Sequence, residues 1–322
     1  MSVHAQKAQP SIPLEYFYAD PLKNNFRNFL SKFHFSLSTG YGQTFYRHQF
    51  EGLGIVQENG FAPALFIPGV GTTVQYSNWF NDIQLQSPLL SPDFTVISDT
   101  ASIGFSSRGF NVPLKFSVHF EFDALRIGGG LSTEYMRINE FRPINYSDDI
   151  ANLDPGINGA MASRYFLMAG LSFFRYYEYN FTAELNAGII RLGGRFDPAV
   201  VQRNPYVNLG LTIEREMSEY FRIFVRPSVE WKTFTTSIPE TNVSIRHTYP
   251  SAFLNFGVLL RINELKRCFI SSCHAQVDHR HGNLTVRSRM HPIYKKQNPH
   301  YGENYPRLIR YKWKNRNKLN PY

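Results

Sequence analysis

The sequence FNVPLKFSVHFEFDALRIGGGLSTEYMR, residues 110–137, alternates apolar and polar side chains over most of its length. Val112, Leu114 and Phe116 fall on one face of its first half, and the polar residues between them fall on the other. Such alternation is typical of a β-strand, in which successive side chains point to opposite faces. A four-residue turn at 121–124 would join the two halves, so the stretch predicts a long β-hairpin.

The arms of this hairpin, 110–120 and 125–137, exceed the roughly five or six residues of an average strand. A tilted strand of about 9–11 residues is long enough to cross a bilayer. Charged residues make up 18% of the chain, below the roughly 25% of average soluble proteins. The sequence has no apolar run near the roughly 18 residues of a membrane helix. A transmembrane barrel reconciles these facts, because only alternate residues of its strands must be apolar.

The same alternation recurs along the chain and predicts an all-β fold, a closed antiparallel up-and-down transmembrane β-barrel of eight strands. We expect the strands at 33–49, 110–120, 125–137, 164–174, 181–189, 207–214, 221–231 and 254–262. Long connections would follow strands one, three, five and seven, and short turns the others, as in outer-membrane barrels. Residues 51–106 would form one long extracellular loop. A hairpin within it, near 66–79, would raise the strand count to ten if it crossed the membrane.

The stretch GFNVPLKFSVHFEFDALRIGGG, residues 109–130, resembles the small outer-membrane β-barrels of Bacteroidota, loosely the PorT-like and OmpA/OmpX-like group. The resemblance covers about residues 33–263 and consists of a pattern of strands. It implies an outer-membrane location and, through the PorT-like barrels, a part in type IX secretion. The tail, with HPIYKKQNPHYGENYP at 291–306, is not part of this family pattern.

Four segments follow from this pattern. Val3, His4 and Ala5 before Gln6 resemble the cleavage end of a secretory signal, so residues 1–6 are expected to be a signal-peptide remnant. The alternative is an ordinary cytosolic N-terminus. Both ends of an even-stranded barrel lie on its short-turn side. We therefore expect a periplasmic segment at 7–32, the barrel at 33–263 and a basic periplasmic tail at 264–322.

Charged residues of both signs fall on the inward face of the strands. Because buried charges must be paired, they predict an ion network in the lumen. A catalytic site of paired carboxylates is the alternative. The predicted network consists of Lys115, Arg126, Glu134, Glu184, Glu214, Arg222, Arg226, Glu230 and Arg261. An eight-stranded barrel has room for such side chains but hardly for a pore.

Aromatic residues crowd near the strand ends, among them Tyr41, Tyr135, Tyr220 and Trp231. They are typical of the interfacial girdles of a membrane barrel, because each ring is apolar and carries a polar atom. The alternative is an aromatic ligand cleft in a soluble lipocalin-like barrel. Such a barrel should have a polar outer face, whereas this one presents aliphatic side chains and rings.

The two cysteines of the chain, Cys268 and Cys273, predict a small disulfide loop in an oxidising compartment. Together with His274, His279 and His281 they offer the thiolate and imidazole donors that zinc and copper prefer. Their spacing is not that of a standard zinc finger. The disulfide is therefore the prediction and no metal site is expected, with a metal site or free thiols as the alternatives.

Residues 264–322 hold 13 of the lysines and arginines and 3 of the acidic residues, a net charge of +10 against +9 for the whole chain. In a cytosolic protein, such cations interleaved with rings would suggest nucleic acid. After an outer-membrane barrel the expected partners are protein subunits, peptidoglycan or lipid headgroups, and not nucleic acid. The candidate partner-binding residues are Lys295, Lys296, Tyr301, Tyr305, Arg307, Arg310, Lys312, Trp313, Lys314, Arg316 and Lys318. A merely solvated tail is the alternative.

The sequence contains no GxSxG, HExxH, P-loop or dinucleotide-binding motif. We therefore predict no catalytic residues and no cofactor. The predicted function is a non-enzymatic outer-membrane barrel that serves as an accessory or anchoring subunit of an envelope secretion or outer-membrane biogenesis complex. Its tail and long loops would dock the partners. The alternatives are a narrow channel or ligand-uptake barrel and an outer-membrane lipid hydrolase with its catalytic residues on the outer wall.

Overall fold

The structure is a computed structural model that divides into two compact units, one of which is Phe33–Arg261. It describes residues 25–69, 73–78, 82–86, 92–98, 102–155, 158–194, 196, 201–218, 220–238, 244–273, 279–282 and 284–287. The elements are α1 (Asn25–Leu30), β1 (Phe33–Gln49), β2 (Gly54–Gln57), β3 (Ala64–Phe66), β4 (Thr73–Asn78), β5 (Asp82–Gln86), β6 (Phe94–Ile97), β7 (Gly104–Phe122), β8 (Leu125–Ile138), β9 (Arg142–Pro143), β10 (Gly159–Tyr176), β11 (Tyr179–Leu192), β12 (Val201–Glu216), β13 (Phe221–Ser237), β14 (Ser244–Arg261), β15 (His279–His281) and β16 (Leu284–Val286). Within the described residues, no helix has the length and hydropathy that a membrane span requires.

The long strands of the Phe33–Arg261 unit form a closed antiparallel barrel. Their order is β1-β14-β13-β12-β11-β10-β8-β7, and β7 pairs again with β1. The eight-strand prediction is therefore confirmed. The ten-strand alternative is wrong, because β2 to β6 form a separate five-stranded sheet. Each of those strands has six residues or fewer, too few to cross a bilayer.

The connections divide the barrel into two ends. The turn-side end carries the connections 123–124, 177–178 and 217–220, and the loop-side end carries 50–103, 139–158, 193–200 and 238–243. The alternation of long and short connections is as predicted. The turn between β7 and β8 has two residues and not four, because Glu121 and Phe122 continue the ladder opposite Arg126 and Leu125. Asp123, the first of the two turn residues, has a φ of 46°, which tight hairpin turns favour.

The outer wall of the barrel is apolar over a continuous band. Leu167 of β10 is 76% exposed and Ile127 of β8 is 58% exposed, while residues that flank them along the strands, such as Phe166, Met168 and Arg126, are buried on the lumen side. Leaving such side chains in water costs roughly 1.5–3 kcal/mol each. The closed strands and this band identify a transmembrane β-barrel of the outer-membrane type and disfavour the soluble lipocalin-like alternative.

Towards the loop-side end of the barrel the outward residues become polar and the inward residues become apolar. Exposed arginines on five strands form a belt around the outer wall there, consisting of Arg47, Arg108, Arg137, Arg191 and Arg246. The guanidinium of Arg108 lies 5.7 Å from the centre of the Phe45 ring, and that of Arg137 lies 5.9 Å from the Phe110 ring. Cations above aromatic rings are typical of the interface between hydrocarbon and headgroups. The arginine belt therefore marks one edge of the membrane-facing band.

A hydrophobic core fills the loop-side end of the barrel. It joins Phe105 and Ile138 of the barrel strands to Leu65 of the small sheet and to Phe141 and Leu153 of the connection 139–158. Phe141 and Leu153 also exchange backbone hydrogen bonds of 2.9 Å. The residues predicted as one long loop thus contain a sheet of their own, and Ile55, Leu65 and Val96 of that sheet are buried in the same core as the barrel residues.

The second unit contains α1, the segment that follows β14, and the β15–β16 hairpin. In the hairpin His279 pairs with Val286, and His281 pairs with Leu284. The predicted signal-peptide remnant at 1–6 and the region from 288 to the C-terminus lie outside the described residues.

Candidate functional site

Buried ion pairs fill the turn-side part of the lumen. Arg126 of β8 is 2% exposed, and its guanidinium donates to both carboxylate oxygens of Glu214 on β12, with 2.7 Å between Nη2 and Oε2. Arg126 and Arg222 each lie 3.0 Å from Oε1 of Glu121. We call Glu121, Arg126, Glu214 and Arg222 the turn-side cluster. Its charge-assisted bonds tie four strands, β7, β8, β12 and β13, together across the lumen.

The middle of the lumen continues this network. Arg226 Nε donates to Glu184 Oε2 at 2.8 Å, and Arg226 Nη2 donates to Asn208 Oδ1 at 2.8 Å. The Lys115 ammonium lies 4.6 Å from the centre of the Phe166 ring. Each of these cations therefore has an anionic, amide or aromatic neighbour, as a charge removed from water requires.

A second group, the loop-side cluster, lies towards the long connections. It contains Asn111, Glu134, Arg164, Glu230 and Lys232. Glu134 is fully buried, accepts from Asn111 Nδ2 at 2.5 Å and contacts both Arg164 and Lys232. Glu230 lies 3.0 Å from Arg164 Nη2 and 3.3 Å from Lys232 Nζ. Two carboxylates thus share two cations in a region with no access to bulk water.

The structure brings most of the predicted lumen residues together. Seven of them form the ion pairs of the network, namely Arg126, Glu134, Glu184, Glu214, Arg222, Arg226 and Glu230. Lys115 lies among them, and Arg261 ends β14 opposite His34 of β1. Sequence reasoning missed Glu121, Arg164 and Lys232, although each has the inward parity. Each is next in sequence to an exposed aromatic residue. Because neighbouring side chains of a strand point to opposite faces, that ring indicates that the charged residue faces the lumen.

The lumen has little free volume. Two cavities within it measure about 30 Å³ and about 20 Å³, which is room for roughly one water molecule each. The carboxylates around them are engaged by guanidinium or ammonium groups. A carboxylate held in this way is a poor general base and a poor nucleophile, so the geometry favours a structural network over a catalytic pair of acids.

The histidines of the barrel also face inwards. Residues 33–261 include His34, His48, His119 and His247, and all four are buried. His34 and His119 stack with 5.3 Å between ring centroids and lie beside Glu121, whose carboxylate Arg126 and Arg222 already engage. A serine on the outer wall would therefore have no histidine of this barrel as its base, which weighs against the lipid-hydrolase alternative.

The remaining candidate residues lie in the second unit or beyond the described residues. Cys268 and Cys273 are thiols in this structure, with sulfur atoms no more than 4.8 Å apart. The structure thus contains no Cys268–Cys273 disulfide, and that bond stays a prediction. The partner-binding residues from Lys295 to Lys318, and His274, lie outside the described residues.

No protein-family model and no curated protein matches this chain. The solved structures that match include the outer membrane protease OmpT from Escherichia coli, with 9% identity and a TM-score of 0.33 over 71% of this chain and 96% of that one. OprG from Pseudomonas aeruginosa matches with 8% identity and a TM-score of 0.33, over 71% and 96% of the two chains. The outer membrane protein AlkL matches with 8% identity and a TM-score of 0.33, over 70% and 89%. The assignment to the transmembrane barrels therefore depends on the closed strand order and the apolar outer wall.

Proposed function

We propose that this protein is a non-enzymatic outer-membrane anchor that serves as an accessory subunit of an envelope complex for secretion or outer-membrane biogenesis. The observation that carries the proposal is the filled lumen. Ion pairs occupy its turn-side and middle parts, and a hydrophobic core occupies its loop-side end. A barrel with such an interior is suited to holding attached segments at the membrane rather than to transporting a solute.

We place the N-terminal segment and the tail in the periplasm. The support is the even number of strands, because both ends of such a barrel are on the side of the short turns. The partners would be outer-membrane lipid around the barrel and acidic protein subunits, or peptidoglycan, at the tail. The resemblance to PorT-like barrels makes the type IX secretion machinery the first complex in which to look for the protein.

The tail is the proposed docking element because the positive charge of the chain is concentrated there. Residues 264–322 carry +10, whereas the whole chain carries +9. Such a charge speeds association with an acidic partner. Salt weakens this attraction, because dissolved ions screen charges over a Debye length of about 8 Å at physiological ionic strength. Specificity would come from the rings and arginines among these cations, because such side chains dominate binding energies at interfaces.

Deleting residues 290–322 is expected to abolish copurification of the partner while the barrel stays folded. Native-envelope extracts of the full chain and the truncated chain would be compared by affinity capture and quantitative mass spectrometry. The heat-induced mobility shift of the barrel in gel electrophoresis serves as the folding control. If the truncated chain captures the same proteins at the same yield, the tail is a solvated extension and the docking proposal fails.

Two sets of substitutions separate charge from aromatic contacts in the tail. The charge set replaces Lys312, Lys314, Arg316 and Lys318 by Gln, and the ring set replaces Tyr301, Tyr305 and Trp313 by Ala. The charge set should slow capture mainly at low salt, because screening already suppresses that attraction at high salt. The ring set should weaken capture at every salt concentration. Equal salt dependence of the two sets would contradict this division of roles.

The barrel is expected not to conduct ions. Purified protein in planar bilayers should show no steady conductance of porin size, because the cavities in the lumen hold about one water each. The double variant Arg226→Ala/Glu184→Ala removes a central ion pair. It tests whether the charged side chains close the lumen. A stable large conductance of the unmodified protein would favour the channel alternative.

A further inference from the structure

Four potential metal ligands converge in the second unit. They are the thiols of Cys268 and Cys273 and the imidazoles of His279 and His281, and their ligand atoms all lie within 4.8 Å of one another. His279 Nε2 lies 3.1 Å from Cys273 Sγ and 3.0 Å from His281 Nε2. The set contains only sulfur and nitrogen donors, which are the donors of structural zinc sites.

Local backbone structure builds this convergence. His279 and His281 are two apart on β15, so both imidazoles project from one face of the hairpin. Backbone hydrogen bonds hold Cys268 beside the far end of that hairpin, since its N–H donates to the Arg287 carbonyl at 2.9 Å and the Arg287 N–H donates to the Lys266 carbonyl at 2.9 Å. A turn then returns the chain to Cys273, whose N–H donates to the carbonyl of Ile270 at 3.2 Å.

Hydrogen bonds alone account poorly for this arrangement of sulfur and nitrogen atoms. A ring nitrogen carries either one proton or one lone pair, yet His279 Nε2 faces both a thiol and a second imidazole nitrogen at hydrogen-bond distance. If two of these atoms present lone pairs to each other, they repel unless a cation lies between them. Cys268 is 2% exposed and the other three side chains are half-buried, so bulk water is largely excluded from the point where they meet.

We propose that Cys268, Cys273, His279 and His281 bind one Zn²⁺ ion as a closed structural site. Zinc bonds of about 2.3 Å to sulfur and about 2.0–2.1 Å to nitrogen place tetrahedral donors roughly 3.3–3.8 Å apart, close to the distances found here. Binding converts two thiols to thiolates and releases two protons, and the resulting Zn²⁺–thiolate core has no net charge. The ion would take the place of the predicted disulfide and would hold the segment 266–273 to the β15 strand.

The test uses the full chain, purified in detergent with a reductant and dialysed against Zn²⁺. We expect one zinc per chain by elemental analysis, protection of both cysteines from alkylation, and release of two protons per Zn²⁺ bound. Co²⁺ in its place should give the absorption bands of a tetrahedral thiolate site. None of these readouts depends on partner binding, so failure of the metal site and failure of the docking proposal are distinguishable.

Substitutions assign the ligands. Cys273→Ser and His279→Gln should each weaken Zn²⁺ binding more than the roughly 10–100-fold typical of outer-shell changes. The matched control is Arg280→Gln, because Arg280 lies between the two histidines on the opposite face of β15 and should leave the affinity unchanged. Cys273→His restores a nitrogen donor and should bind Zn²⁺ more tightly than Cys273→Ser, which separates loss of a ligand from local unfolding.

Two results would overturn the proposal. One is a Cys268–Cys273 disulfide without zinc in protein isolated from the native envelope, which would establish the disulfide in its place. The other is an unchanged Zn²⁺ affinity in both Cys273→Ser and His279→Gln, which would locate the metal elsewhere.

Discussion

Replacing Glu134 by alanine is expected to destabilise the barrel by about 3–5 kcal/mol. Glu134 is fully buried and contacts both Arg164 and Lys232, which are themselves buried. Without its carboxylate, two cations would share the single remaining anion, Glu230, in a region closed to bulk water. The cost of leaving a charge uncompensated in such a region is far larger than the net gain from the intact pair.

The measurement is equilibrium unfolding by urea in lipid vesicles, followed by tryptophan fluorescence. The matched control is Glu178→Ala, which removes the partner of Arg215 in a pair whose side chains are 46% and 47% exposed. Because water screens that pair, its loss should cost about 0–1 kcal/mol. If both variants unfold at the same urea concentration as the original chain, the loop-side cluster contributes nothing to stability and our account of the lumen is wrong.

The sequence predicts the barrel well because side chains alternate between the two faces along each strand, and this alternation repeats in every strand of the barrel. β1 runs from Phe33 to Gln49 as expected, and the inward face carries the charges as expected. The loop-side ends of β10 and β14 escaped prediction because apolar residues such as Ala160 and Ile245 turn inwards there, while Arg246 turns outwards. The period of two is unchanged at these ends, but the environments on the two faces are exchanged.

Features that depend on distant contacts were mostly not readable from the sequence. The hairpin expected near 66–79 corresponds to β3 and β4, but the other strands of the small sheet have four or five residues, too few to show a period reliably. The approach of Cys268 to His279 depends on the backbone pairing between Arg267 and Arg287, and nothing in the spacing of the cysteines and histidines encodes that pairing. Sequence alone therefore predicted the disulfide with a metal site as the alternative, and the proposed zinc site depends on the approach of the four side chains in the structure.

The level at which the outer wall changes from apolar side chains to the arginine belt marks the edge of the membrane. The side chain of Leu167 lies midway along the apolar face of β10 and is more exposed than any other large hydrophobic side chain in the described residues, at 76%. Met161 lies on the same face of the same strand, close to the level of the arginine belt, because its neighbours Gly159 and Ser163 pair with Arg137 and Arg191. The two positions therefore test the same substitution at different depths.

Replacing Leu167 by arginine is expected to cost about 2–4 kcal/mol, because a guanidinium at the midplane must be desolvated or must distort the bilayer. Replacing Met161 by arginine should cost about 0–1 kcal/mol, since its charge can reach the headgroup level as the belt arginines do. Both variants would be refolded into vesicles and unfolded with guanidinium chloride. In detergent micelles, where water reaches the outer wall more easily, the difference between them should shrink. Equal costs at the two depths in vesicles would mean that the apolar band is not the membrane-facing surface, and the transmembrane assignment of the barrel would fail with it.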